Sequence, residues 1–237
     1  MARFGINIEQ VSALRSIGRN SEADPVTAAI HAEIGGCDGI VCPVREGMQP
    51  VTERDVRLLR ELVKTHLNIQ IPPVEDMIHF ALGIKPDMIT IIPGEKPMSS
   101  SGGGLNILGH AETLMKMIHH IRSQNIIVSV LVDSEIQQIK AAARAGVDYV
   151  EINASEYAAA ESLNERADQL ERLKSVALGA SKIGLGVAVS QGLDYHNIAD
   201  ITAISTVEEV NIGHAVVGRA LWVGMEAAVR DMGALVK

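Results

Sequence analysis

The chain has 237 residues, of which 47% are hydrophobic, 21% charged and only 3% aromatic, and its formal net charge is −8. A chain of this length is long enough for a sizeable core and needs no disulfide staple, and an acidic balance without basic runs argues against a nucleic-acid partner. Apolar content dominated by Ala, Ile, Val, Leu and Met suits parallel strands buried on both faces, with helices packed over them.

Met1-Ala2-Arg3-Phe4-Gly5 leads directly into a strand, without the apolar region of a signal peptide. No apolar run reaches the ~18 residues of a membrane helix, so a cytoplasmic protein with no membrane partner is expected. Short β-branched runs predict strands at Phe4–Ile8, Gly39–Val44, Leu67–Ile71, Met88–Ile92, Ile126–Val132, Tyr149–Asn153, Gly186–Val189 and Glu209–Ile212. A helical pattern follows each of them. Asp24-Pro25 supplies an N-cap and a proline at the first helical position, and Thr52 caps a helix through Lys64. Ser134-Glu135-Ile136-Gln137 reads as a capping box whose helix stops at Gly146, with Asp133 taken up in the cap. Leu114, Met117, Ile118 and Ile121 recur at helical spacing. The longest helix is expected over Leu163–Lys182 and the last from Val216 towards Lys237. Ser99-Ser100-Ser101-Gly102-Gly103-Gly104 reads as a loop after the fourth strand.

Eight strand–helix units predict a single (β/α)8 TIM barrel, one domain over residues 1–237. A doubly wound sheet would need a glycine fingerprint after the first strand, where this chain has Glu9-Gln10-Val11-Ser12. Cys37 and Cys42 fit no zinc spacing and are expected to be reduced and structural. No His/Asp/Glu cluster has metal-ligand spacing, so no metal is expected.

Barrels of this kind place function at the C-terminal ends of the strands. Glu209-Val210-Asn211-Ile212-Gly213-His214 reads as a strand, a glycine corner and a helix start, which suits an anion. Gly192, followed by a helix start at Asp194-Tyr195-His196, is expected to repeat that arrangement. Of the eight histidines only His214 falls at a strand's C-terminal end; the others fall on helices or helix edges. Glu151 is the best titratable candidate, since a carboxylate at a strand end is costly to bury without a task or a partner such as Arg45.

These residues resemble the pyridoxine 5′-phosphate synthase family over nearly the whole chain. The resemblance is carried by Gly5-Ile6-Asn7-Ile8 with Leu14-Arg15, Arg45-Glu46, Thr52-Glu53-Arg54-Asp55, Gly103-Gly104-Leu105, Glu151-Ile152, Gly192-Leu193-Asp194-Tyr195-His196-Asn197 and Asn211-Ile212-Gly213-His214-Ala215. It implies a barrel assembling into octamers that condenses 1-deoxy-D-xylulose 5-phosphate with 3-amino-2-oxopropyl phosphate, without metal or organic cofactor. By resemblance, Asn7, Gly192, Gly213 and His214 hold the aminooxopropyl phosphate and Arg45 contacts the sugar phosphate. Ser101 or Ser100 stands where the family has a threonine, and Glu151 matches a glutamate that supports the transition state.

The chain departs from the family at its proton-transfer positions. The family's Asp-His after the first Asn is Glu9-Gln10, and its second-strand histidine is Pro43. The third-strand glutamate is Gln70, and the seventh-strand histidine is Gln191. An arginine expected after Arg15 falls on Gly18, beside Arg19. The candidate ligand contacts are therefore Asn7, Gln10, Arg19, Arg45, Ser101, Gly192, Gly213 and His214, and the candidate acid–base groups Glu151 and Glu9. Three readings stay open: altered condensation chemistry on phosphorylated metabolites, non-catalytic binding of one, or the family reaction with an unusual site.

Overall fold

A computed structural model of the chain describes residues 1–18, 22–94 and 103–237. The strands are β1 (Arg3–Asn7), β2 (Gly39–Pro43), β3 (His66–Ile71), β4 (Met88–Ile91), β5 (Ile127–Val132), β6 (Tyr149–Asn153), β7 (Gly186–Ser190) and β8 (Glu209–Ile212). They pair in parallel in chain order, and β8 pairs with β1 to close the barrel. Each lies within a residue or two of the position expected from β-branched periodicity.

The two faces of the strands differ in chemistry. Alternate residues such as Phe4, Ile6 and Ile8, Ile69 and Ile71, Val128, Val130 and Val132, and Val187 and Val189 form one apolar core with the helices. The intervening residues face the lumen, and many of them are buried and polar: Asn68, Gln70, Thr90, Ser129, Glu151, Ser190, Glu209 and Asn211. Thr90 donates to Asn68 at 2.9 Å across adjacent strands. The expectation of strands apolar on both faces therefore holds only for the outer face.

The helices are α1 (Glu9–Gly18), α2 (Pro25–Gly35), α3 (Glu53–Leu62), α4 (Glu75–Ile84), α5 (Ala111–Ser123), α6 (Ile136–Ala145), α7 (Ser155–Ala159), α8 (Leu163–Lys182), α9 (Ile198–Thr202), α10 (His214–Val223) and α11 (Met225–Val236). Asp24 and Thr52 cap α2 and α3 as expected, Thr52 and Asp55 forming a reciprocal capping box. The Ser134 box does not form. The N-cap of α6 is Glu135 without a side-chain bond, and the Ser134 hydroxyl donates instead to the Asn153 carbonyl at 3.3 Å. Asp133 accepts from the Gly104 N–H and the Asn153 amide rather than capping α6. The expected last helix is two, because Gly224 (φ 83°) breaks it.

At the N-terminal end of the barrel one local device repeats. Asp38, Asp87 and Asp148 each precede an even strand, and each accepts the N–H of a residue in the preceding odd strand: Phe4 at 2.9 Å, Leu67 at 2.9 Å and Val128 at 3.0 Å. Each also meets a cation, Lys237, Arg60 or Arg122 respectively. His66 begins β3 at this end, not on a helix, and burial lowers its pKa. Both cysteines are buried thiols; burial pushes Cys37 up to about 12 and Cys42 higher still, which makes them poor nucleophiles. Among the described residues no helix is long and apolar enough to cross a membrane.

Candidate active site

The C-terminal ends of the strands open into a cleft of about 590 Å³. Asn7, Glu9, Gln10, Pro43, Arg45, Gln70, Glu151, Gln191, Gly192, Gly213 and His214 all line it. The sequence candidates are thus gathered at one mouth from β1, β2, β3, β6, β7 and β8. Arg19 and Ser101, with Ser100, lie outside the described residues.

The floor is a carboxyl–amide pair. Glu151 on β6 and Gln70 on β3 are both buried, and the Gln70 side-chain nitrogen donates to both Glu151 oxygens at 3.2 Å. Burial pushes the Glu151 pKa up to about 7; Glu209 adds to the rise, while Ser190, Gln70 and Asn211 oppose it. The Ser190 hydroxyl and the Asn211 amide act on it as nearby donors, although neither meets a Glu151 oxygen in the full hydrogen-bond geometry that Gln70 reaches. A carboxyl poised near neutrality can both give and take a proton under ordinary conditions.

One wall of the cleft is a helix N-terminus. Gly213 is the N-cap of α10, so the first N–H groups of a ten-residue helix face the cleft beside Gly213, His214 and Ala215. A Cβ on Gly213 would come within 2.7 Å of the Gln10 Oε1 and 2.9 Å of the Asn7 carbonyl, so the close backbone approach here also serves packing. Gln10 Oε1 is itself buried without a partner. His214 is exposed at the rim.

The Gly192 corner is different from the one expected. Asp194 and Asn197 close a turn through mutual side-chain bonds, and the short α9 begins only at Ile198. The Asn197 amide donates to the Gly192 carbonyl at 2.9 Å, and the buried Tyr157 hydroxyl donates to the Asn197 carbonyl at 3.1 Å. Gln191 (φ 74°) and Gly192 (φ 72°) are both left-handed. For Gln191 that conformation is strained by about 1–3 kcal/mol, and it leaves the side chain exposed at the cleft.

At the rim, Arg45 pairs with Glu9, its Nε at 2.8 Å and Nη2 at 2.7 Å from Glu9 Oε1. Arg45 therefore does not reach Glu151, whose partner is Gln70. Glu9 itself sits in the turn where its N–H meets Asn7 Oδ1 at 2.9 Å. Below this rim Arg15 forms a bidentate pair with Asp55 of α3 and also reaches the Pro50 carbonyl. Burial alone would raise the Asp55 pKa, but Arg15 and Thr52 outweigh it and hold the carboxyl below its ordinary range. Pro43 is buried at the end of β2, opposite Gln70 in the ladder.

Among the described residues no three His, Cys, Asp or Glu side chains converge as metal ligands. Ser190 and Asn211, at strand ends in the sequence but assigned no role there, are both buried and line the cleft. Their signal was a polar residue at an inward position of an otherwise apolar strand.

The family model described as "Pyridoxal phosphate biosynthesis protein PdxJ" matches residues 4–237. A pyridoxine 5′-phosphate synthase of Geotalea daltonii is 38% identical over 237 residues, covering 100% of this chain and 99% of that protein. Another from Microcystis aeruginosa is 40% identical over 232 residues, covering 98% and 97%. The crystal structure of KGPDC from Streptococcus mutans superposes with a TM-score of 0.69 at 15% identity, covering 100% of this chain and 97% of that one, which is a likeness of fold alone.

Proposed function

The chain belongs to the PdxJ family of pyridoxal phosphate biosynthesis proteins, and from that premise we propose that it binds a phosphorylated small metabolite and catalyses a condensation or imine-type step that needs fewer proton transfers than closing a pyridine ring. The observation that carries this reading is Glu151, a fully buried carboxyl with its pKa near 7 on the floor of the cleft. The α10 N-terminus supports the phosphate end, with Arg45 after β2, two strands round the barrel from β8, free to join it once an incoming anion competes with Glu9. Proton traffic then runs between Glu151 and the bound ligand.

Ring closure requires more than this set supplies. The Gln70 and Gln191 amides do not titrate near neutral pH, and the Pro43 side chain has no polar group. A general acid or base gives about 10²–10⁴-fold per site, so losing two independent ones costs roughly 5–11 kcal/mol of barrier lowering. Non-additivity makes that an upper range. Exposed Ile17, Leu221 and Trp222 on α1 and α10 support assembly into a homo-oligomer.

The test gives the protein the two family substrates and follows pyridoxine 5′-phosphate, beside the triple variant Pro43→His, Gln70→Glu, Gln191→His. Negligible product from the natural sequence and recovery in the triple variant are expected. Ordinary turnover by the natural sequence would overturn the altered-chemistry reading in favour of the family reaction. Phosphate-ester binding with no turnover of any carbonyl–amine pair would leave a non-catalytic binder.

A further inference from the structure

Gln70 and Glu151 meet across the lumen from strands 81 residues apart, Gln70 3% and Glu151 1% exposed. The amide nitrogen is equidistant, at 3.2 Å, from the two carboxylate oxygens. With Glu151 ionised, an amide oxygen turned towards it would face two acceptors, so in that state Gln70 donates. Two carboxyls in this geometry would instead share one proton. We propose that Gln70 is a positioning residue: by donating to both oxygens it fixes the carboxyl plane of Glu151 and keeps that group a single proton acceptor on the cleft floor, rather than half of a proton-sharing pair. The proposal rests on the reading of Glu151 as the acid–base group.

The surroundings leave this task to Gln70. Leu131 of β5 and Ala188 of β7 flank Glu151 in the ladder and offer no side-chain donor. Ser190 of β7 and Asn211 of β8 also favour the ionised form of Glu151, but neither reaches its oxygens in full hydrogen-bond geometry as Gln70 does, and Pro43 of β2 has no donor to give. The charged neighbour is Glu209 of β8, whose repulsion favours the protonated form and opposes Gln70. Glu9, Arg45, Asp194 and His214 line the same cleft. With Gln70 in place, Glu151 is expected to lose its proton in one step.

The experiment labels the whole chain with ¹³C at the glutamate carboxyl carbon and follows Glu151 by NMR against pH, the signal being assigned by its loss in Glu151→Gln. Gln70→Met keeps the side chain's length and removes both donors; Gln70→Glu keeps its shape and replaces the donor with a second carboxyl. One transition near neutrality is expected in the natural protein. It should move upward by about one to two pH units in Gln70→Met, because hydrogen bonds to charged groups are worth that much. It should split into two coupled transitions in Gln70→Glu. A Glu151 titration unmoved in either folded variant overturns the proposal, and the isosteric Gln70→Glu keeps the test available if Gln70→Met fails to fold. Turnover of a phosphorylated carbonyl–amine pair lost in Glu151→Gln, with the Glu151 titration unmoved in both Gln70 variants, would sink the positioning role alone. A moved titration with turnover intact in Glu151→Gln would sink the acid–base reading alone.

Discussion

At the N-terminal end of the barrel, Asp38, Asp87 and Asp148 each accept a strand N–H and face a cation. Around the C-terminal cleft, Gln10 Oε1, the Ser190 hydroxyl and both Asn211 amide atoms are buried with no partner, and Glu151 is held where ionisation is costly. The first arrangement closes strand ends that would otherwise leave orphan donors. The second carries an unmet cost of about 1–3 kcal/mol for each unsatisfied group, which a ligand with matching polar atoms would remove. Buried atoms without a partner are not confined to the cleft, since His66 Nε2 at the start of β3 also lacks one; what sets the mouth apart is that its orphan atoms surround a buried carboxyl.

The largest effect should come from the mouth. Gly213→Val places side-chain atoms against Asn7 and Gln10 and across the start of α10. Calorimetry should find phosphate-ester binding weaker by about 100-fold or more, alongside some loss of stability from the crowding. Unchanged affinity would remove α10 from the anion site.

Glu151→Gln should move stability in the opposite direction from a change at the closed end. The folded pKa of Glu151 is raised from 4.5 to about 7, so the native state holds a proton that the unfolded chain releases between those values. Its contribution is intact below about pH 4.5 and is lost as pH rises through 7. At pH 8 the variant should therefore be more stable by about 1–3 kcal/mol, the advantage vanishing near pH 4.5. Denaturant midpoints collected across this range would check both sign and window, and a gain that ignores pH would contradict the assignment.

Asp148→Ala should destabilise by about 1–3 kcal/mol, because the Val128 N–H is left unsatisfied while the exposed Arg122 pair adds little. The cleft should be untouched, so ligand affinity is the control measurement. The smallest change expected is Gln191→Gly, a gain of about 1 kcal/mol from relief of the left-handed backbone. A loss of stability there would mean that the Gln191 side chain makes contacts worth more than the strain.

Much of the fold was legible because its signals are local. Strand positions follow from β-branched runs, and the caps at Asp24 and Thr52 from residues three apart. The set of residues at the mouth followed too, since position in a barrel strand fixes which end a residue occupies. Less legible were features that depend on competition between partners. Ser134 looked like a cap, but α6 begins one residue later, with Glu135 at its N-cap, and the Ser134 hydroxyl is turned to the Asn153 carbonyl of β6. Gly192 looked like a second helix start, but Asp194 and Asn197 satisfy each other first.

The sequence by itself determined that eight strands alternate with helices, that Gly213 stands before a helix, and that Pro43, Gln70 and Gln191 cannot transfer protons near neutral pH. Those properties belong to side-chain chemistry and to spacing of a few residues. Only the tertiary structure decided that Arg45 meets Glu9 while Gln70 meets Glu151, and that three aspartates close one end of the barrel. Such pairings join strands tens of residues apart, and their geometry is set by barrel closure and strand register, which no local pattern encodes.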